Sequence, residues 1–158
     1  MNAYHNQYQQ QQYQQNQINT ATPEQILLML YDGAIRFTRQ AMMAGENGNQ
    51  AEKLGRISKT LAIITEFSNT LNHEIGGQIA ADLDGLYQFM IRELNGARKD
   101  DSGDKLKTVE NLLVGLRETW GQAVDINNRQ QQGEAIPVAV QPQRAMADKP
   151  YVALNAAG

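Results

Sequence analysis

The side chains able to do acid–base or metal chemistry in this 158-residue sequence are few and scattered. Its two histidines stand apart: His5 lies in MNAYHNQYQQ among amides and tyrosines, and His73 lies in LNHEIGG beside Glu74. A histidine so placed, with no converging nucleophile or second ligand, reads as a solvated residue. A metal centre in a helical bundle draws on Glu-x-x-His pairs that face a shared interior, and the sequence has no such pair. Zero cysteines remove thiolate nucleophiles, Cys-ligated zinc and disulfide frameworks together. The HExxH, P-loop, GxSxG and strand-linked GxGxxG signatures are absent as well. The acidic pairs Asp82 with Asp84 and Asp100 with Asp101 read as solvated charge at helix ends, and Asp101 with Asp104 suits a helix N-terminus through the macrodipole. We therefore expect no catalytic residue, no metal site and no cofactor. Trp120, in LRETWGQAV, is expected at the edge of a core with its indole N–H reaching solvent or a carbonyl.

What the sequence offers instead is apolar surface in excess. Leu27, Leu30, Ala34, Phe37 and Ala41 form one stripe at helical spacing, which a core would use. Beside it runs a second, Leu28, Tyr31, Ile35, Thr38 and Met42, rotated by about 100° because it is displaced by one residue. Ile63 and Phe67, and then Ile79, Leu86 and Phe89, likewise fall outside the main stripes of their segments. Fully burying a Leu or Phe is worth about 1.5 to 3 kcal/mol, so several left in water mark a surface that a partner covers. A helix touching two neighbours has a wide apolar arc, and this competes as the explanation of Tyr31 and Ile35. The candidate partner-binding set is Leu28, Tyr31, Ile35, Met42, Ile63, Phe67, Ile79, Leu86 and Phe89.

These stripes require helices. Thr22, Pro23 and Gln25 supply a capping hydroxyl, a proline at the first helical position and a capping-box amide, so a first helix is predicted from Pro23 to about Ala44. GENGN stops it, and Asn49 with Glu52 caps a second helix carrying Leu54, Ile57, Leu61, Ile64, Ser68 and Leu71. HEIGG breaks the pattern. A third helix follows through Ala80, Leu83, Tyr87, Met90, Leu94 and Ala97, and a fourth through Leu106, Val109, Leu113, Leu116, Trp120 and Ala123. Short breaks between helices of similar length favour antiparallel neighbours. The fold class expected is all-α: an antiparallel up-down-up-down four-helix bundle.

Residues 1–20 contain no Asp, Glu, Lys or Arg and are dominated by Gln and Asn, a composition expected to leave a flexible segment. Residues 21–128 hold 11 of the 14 basic and 15 of the 17 acidic residues and form the expected bundle. Residues 129–158 hold three of the four prolines and read as a flexible C-terminal tail. A net charge of −3 argues against nucleic acid. The longest strong apolar run, Ile26 to Tyr31, is far short of the roughly 20 residues that span a bilayer, so no membrane insertion is expected. With no signal-like N-terminus, the expected location is the cytoplasm.

TATPEQILLMLYDGAIRF, LNHEIGGQIAADLDGLYQFMIREL and LRETWGQAV, in that order, resemble the conserved blocks of the flagellar export chaperone family called FliS. The resemblance extends from about Tyr13 to Val124. It implies a helical bundle that binds the C-terminal segment of flagellin, prevents premature polymerisation and assists delivery to the flagellar type III export apparatus. It also implies that an N-terminal segment takes part in or covers the binding surface, with Tyr13 and Ile18 matching that segment's aromatic and aliphatic positions. On the residues alone, a bundle chaperone or adaptor for another secreted or regulatory protein stays open, as does a self-associating bundle that forms a homodimer.

Overall fold

In the computed structural model, which describes residues 5–12, 21–131 and 133, the chain is helical with no strand among those residues. Residues 5–12 form a two-turn helix, α1, where composition predicts no regular structure; its side chains are exposed throughout. His5 with Gln9 and Tyr8 with Gln12 are hydrogen-bonded at i,i+4 along it. The expected flexible segments otherwise fall outside the described residues, as do Tyr13 and Ile18. Four long helices follow: α2 (Pro23–Glu46), α3 (Gln50–Thr70), α4 (His73–Ala97) and α5 (Asp104–Gln131).

Their starts follow the capping chemistry. Thr22 Oγ1 accepts from Gln25 N–H at 3.2 Å while the Gln25 side chain accepts from Thr22 N–H at 3.0 Å, closing a capping box before Pro23. Asn49 and Asn72 accept from Glu52 N–H and Ile75 N–H in the same way. HEIGG is less of a break than the sequence predicts, because α4 begins at His73 and is kinked at Gly77 (φ 51°, ψ −126°). Only glycine adopts that backbone without strain. At the other end, α5 continues past residue 128 to Gln131, carrying RQQ into the helix rather than the tail.

Each long helix packs on two neighbours in the cyclic order α2, α3, α4, α5. The contacts run in opposite directions along each pair. Arg39 meets Glu110 while Asp32 meets Arg117 between α2 and α5. Gln50 meets the Arg98 carbonyl while Ser68 meets Asp84 between α3 and α4. The antiparallel arrangement follows from these registers. Tyr31, Phe67, Tyr87 and Trp120 come together, one from each long helix, level with the last turn of α3. The Tyr31 and Phe67 rings stack with centroids 4.5 Å apart, and Phe67 lies 5.6 Å from Tyr87. The Tyr31 and Tyr87 hydroxyls are hydrogen-bonded at 2.7 Å, and Trp120 Nε1 donates to the Tyr31 hydroxyl at 3.2 Å. Trp120 is thus buried and anchored to a side chain, not to solvent or a carbonyl.

Polar groups close the bundle's edge. Glu110 accepts from Lys107 at 2.7 Å and from Arg39 at 3.1 Å. The Lys107 bond, and then the Arg39 bond, hold its carboxyl below the ordinary glutamate range against the opposing effect of burial. A lowered folded-state pKa contributes stability that is complete above the unfolded value of about 4.3 and lost as pH falls through the folded one. Glu110→Gln should therefore reduce unfolding free energy at pH 7 by about 1 kcal/mol, a modest value because both cations are solvent-exposed. As pH is lowered below the ordinary glutamate range, the difference from wild type should shrink toward zero in denaturation experiments. Tyr31→Phe removes the acceptor of a buried indole N–H and should lower stability by about 1–2 kcal/mol, read by the fluorescence of the single tryptophan during urea unfolding.

Candidate functional site

The candidate set divides when its members are placed in the bundle. Tyr31 and Phe67 are 0% exposed, and Ile35 and Ile63 are buried as well. These four are corrected from partner-facing to interior positions. The reason is rotational: α2 buries Leu27, Tyr31, Ala34, Ile35, Thr38 and Ala41, so its two stripes merge into one wide face centred between them. Leu30 and Phe37, expected inside, are only half-buried, like Leu28 and Met42. On α3, Phe67 takes part in the aromatic cluster and Leu61 moves to the half-buried flank.

Ile79, Leu86 and Phe89 do lie outside, exposed by 45%, 37% and 37%. Ile75, which sequence reading passed over as part of a loop, joins them at 55% exposure. At about 100° per residue, positions 79, 82, 86, 89 and 93 fall within roughly 40° of one line along the part of α4 that follows the Gly77 kink, and Ile75 lies before it. Two contacts fix which way that line faces. Glu93, on the line, pairs with Lys105 of α5 at 3.8 Å, whereas Asp84, on the other side of α4, accepts from Ser68 of α3. The apolar line therefore borders α5.

The corresponding flank of α5 is also apolar. Arg117 and Glu110 turn toward α2, where they meet Asp32 and Arg39. On the opposite side of the buried Leu113–Trp120–Val124 face come Leu112, Leu116 and Ala123, all half-buried. Ile79, Leu86 and Phe89 on α4 and Leu112 and Leu116 on α5 thus put an apolar flank on each side of the α4/α5 seam. Leu116 had been expected in the core; the 100° spacing from Trp120 and Leu113 puts it at the edge instead.

The α2/α5 seam is chemically different. It holds a depression of about 470 Å³ whose floor includes Ile35, Met43 and Val114, with Arg36, Arg39, Arg117, Asp32 and Glu118 around it. Arg117 is committed to Asp32 at 2.9 Å, which holds the guanidinium more firmly protonated than usual. Its charges are thus largely answered from within the chain. Among the described residues no group of three or more His, Cys, Asp or Glu side chains could hold a metal ion, and no helix is long and apolar enough to cross a membrane.

A family model described as "Flagellar protein FliS" matches residues 4–127. The chain is 38% identical over 122 residues to the flagellar secretion chaperone FliS of Bacillus subtilis (strain 168), covering 77% of this chain and 90% of that protein. It is 36% identical over 108 residues to the protein of the same name from Campylobacter jejuni, covering 68% and 84%. It is 35% identical over 106 residues to that of Salmonella typhimurium, covering 66% and 78%.

Substitution separates interior from groove. Phe67→Ala should cost about 3–5 kcal/mol of stability, as for a large buried ring, whereas Leu86→Gln and Phe89→Gln should each change it by less than about 1 kcal/mol. Urea denaturation followed by circular dichroism measures all three.

Proposed function

From the premise that this chain belongs to the FliS family of flagellar proteins, we propose that it is a cytoplasmic flagellar secretion chaperone whose client is the C-terminal segment of flagellin. The observation that carries this reading is the exposed line Ile75, Ile79, Leu86 and Phe89 beside half-buried Leu112 and Leu116. An amphipathic helix laid along that seam would present residues at i, i+3, i+4 and i+7 to both walls, the ordinary mode of helix-in-groove recognition. Masking such a segment opposes premature polymerisation, and the soluble complex is the form handed to the flagellar type III export apparatus. The chemistry asked of the protein is binding and release, for which apolar walls suffice.

Tyr13 and Ile18 fit this reading as a removable cover over the outer flank of α2 and its neighbours, overlapping the client's path, with Leu28 and Met42 half-buried beneath it. A tethered segment acts at an effective concentration near the millimolar range, so weak intrinsic affinity keeps it in place until a client displaces it. A cover worth about 2 kcal/mol would lower apparent client affinity roughly 30-fold.

Isothermal titration with monomeric flagellin tests the central reading. Wild type should bind with a strongly negative heat-capacity change and little dependence on salt. Leu86→Glu and Phe89→Glu should weaken binding by at least about tenfold with helicity retained, and flagellin lacking its C-terminal segment should not bind. Unchanged affinity in both variants would contradict the groove as the client site. Deleting residues 1–19 should tighten binding, and weakened binding would make that segment part of the site.

A further inference from the structure

The α4/α5 groove opens at the end of the bundle where α5 stops. Lys105 of α5 is level with Glu93, and Trp120 meets Tyr87 through the Tyr31 hydroxyl. Because α4 and α5 run antiparallel, the last turns of α5 before Gln131 lie toward the same end of the bundle as Ile75 and Ile79, the exposed start of the apolar line. Residues 134–158 follow from there and lie beyond the family match, which ends at residue 127. They begin EAIPVAVQPQ.

We propose that this C-terminal tail is a second occupant of the groove, lying in cis along α4 with Ile136, Val138 and Val140 against the line from Ile75 to Phe89. The proposal rests on the groove being the client site, and gives that site an internal competitor.

Four features of the sequence and the fold support it. Alternate residues of an extended chain point the same way and are spaced by roughly 6.6 Å, close to the 5.4 Å pitch that separates successive turns of α4. The seven residues from Glu134 to Val140 can reach about 23 Å, and the line from Ile79 to Phe89 is about 15 Å long. From Gln130 to Gln143 the only charged residue is Glu134, and Asp82 is the one carboxylate on the line between Ile75 and Phe89, so the contact desolvates few charges. Pro137 and Pro142 each lack a backbone N–H, which removes donors that an extended segment on a helix surface would leave unpaired.

The absence of native cysteine makes the contact directly measurable. In the full chain, Asp82→Cys lies on the apolar line, and Val138→Cys lies on the face of the tail turned toward it. Met29→Cys, on the exposed face of α2, is the control. By the Asp32–Arg117 register, residue 29 is level with about residue 120 of α5, toward the same end of the bundle as the root of the tail. Under mild oxidation without client, the 82/138 pair should form an intramolecular disulfide at least about tenfold faster than the 29/138 pair. Adding Ile136→Asp and Val140→Asp should abolish that advantage. Equal rates for the two pairs would overturn the proposal, as would a disulfide at 82/138 that forms only between two chains, which would put a second copy in the groove. This readout needs no flagellin, so its failure is distinct from a failure of client binding. In titrations with flagellin, a chain carrying only Ile136→Asp and Val140→Asp should bind severalfold more tightly than wild type. A fast cis disulfide with unchanged client affinity would keep the cover and contradict the client's use of this groove.

Discussion

Four aromatic side chains, Tyr31, Phe67, Tyr87 and Trp120, meet inside the bundle, and each comes from a different long helix. This meeting fixes more than a core. Stacking and tilted ring geometry set the approach of α2, α3 and α4, while the two hydroxyls and the indole N–H must be satisfied together in a buried place. A helix that rotated by one residue, about 100°, would take its ring out of the cluster and strand a polar group. The rotational setting of every long helix is therefore held by one small constellation.

The binding face is a consequence of that setting. With Tyr87 turned inward, Ala80, Leu83, Met90, Leu94 and Ala97 must follow it into the core. Ile75, Ile79, Leu86 and Phe89 are then left outside the core and exposed. On α5, Trp120 directed inward leaves Leu112 and Leu116 on the facing edge. Two partly apolar flanks thus converge on one seam without any residue in it being required for folding. The α2/α5 seam, by contrast, is closed by Asp32–Arg117 and Arg39–Glu110 pairs. Two ion pairs close one seam, whereas the other carries exposed apolar groups with the Glu93–Lys105 pair at one end, and it is this side that is proposed for the client.

Much of this was readable in the sequence, and the errors are instructive. The capping residues Thr22, Asn49 and Gln25 announce their helices because orphan N–H groups need those side chains at those offsets. The exposed positions Ile79, Leu86 and Phe89 were legible because they interrupt an otherwise regular core stripe. Tyr31, Ile35, Ile63 and Phe67 were not. On α2 two adjacent stripes are both apolar, and periodicity alone cannot say which faces inward when the deciding interactions are ring contacts with residues dozens of positions away. Ile75 was hidden by the flanking HEIGG, whose glycine kinks α4 without ending it. The pairing of the α4 and α5 flanks was also beyond reach, since it needs the inter-helix register.

The central claim is that a client lies along the α4/α5 seam. Hydroxyl-radical footprinting of the full chain, alone and saturated with the flagellin C-terminal segment, measures this at the level of side chains. Strong protection of Ile75, Ile79, Leu86 and Phe89, with Met29 and Met43 on α2 left as reactive as before, is the predicted result. A complex that forms while those four α4 side chains keep their free reactivity would contradict it.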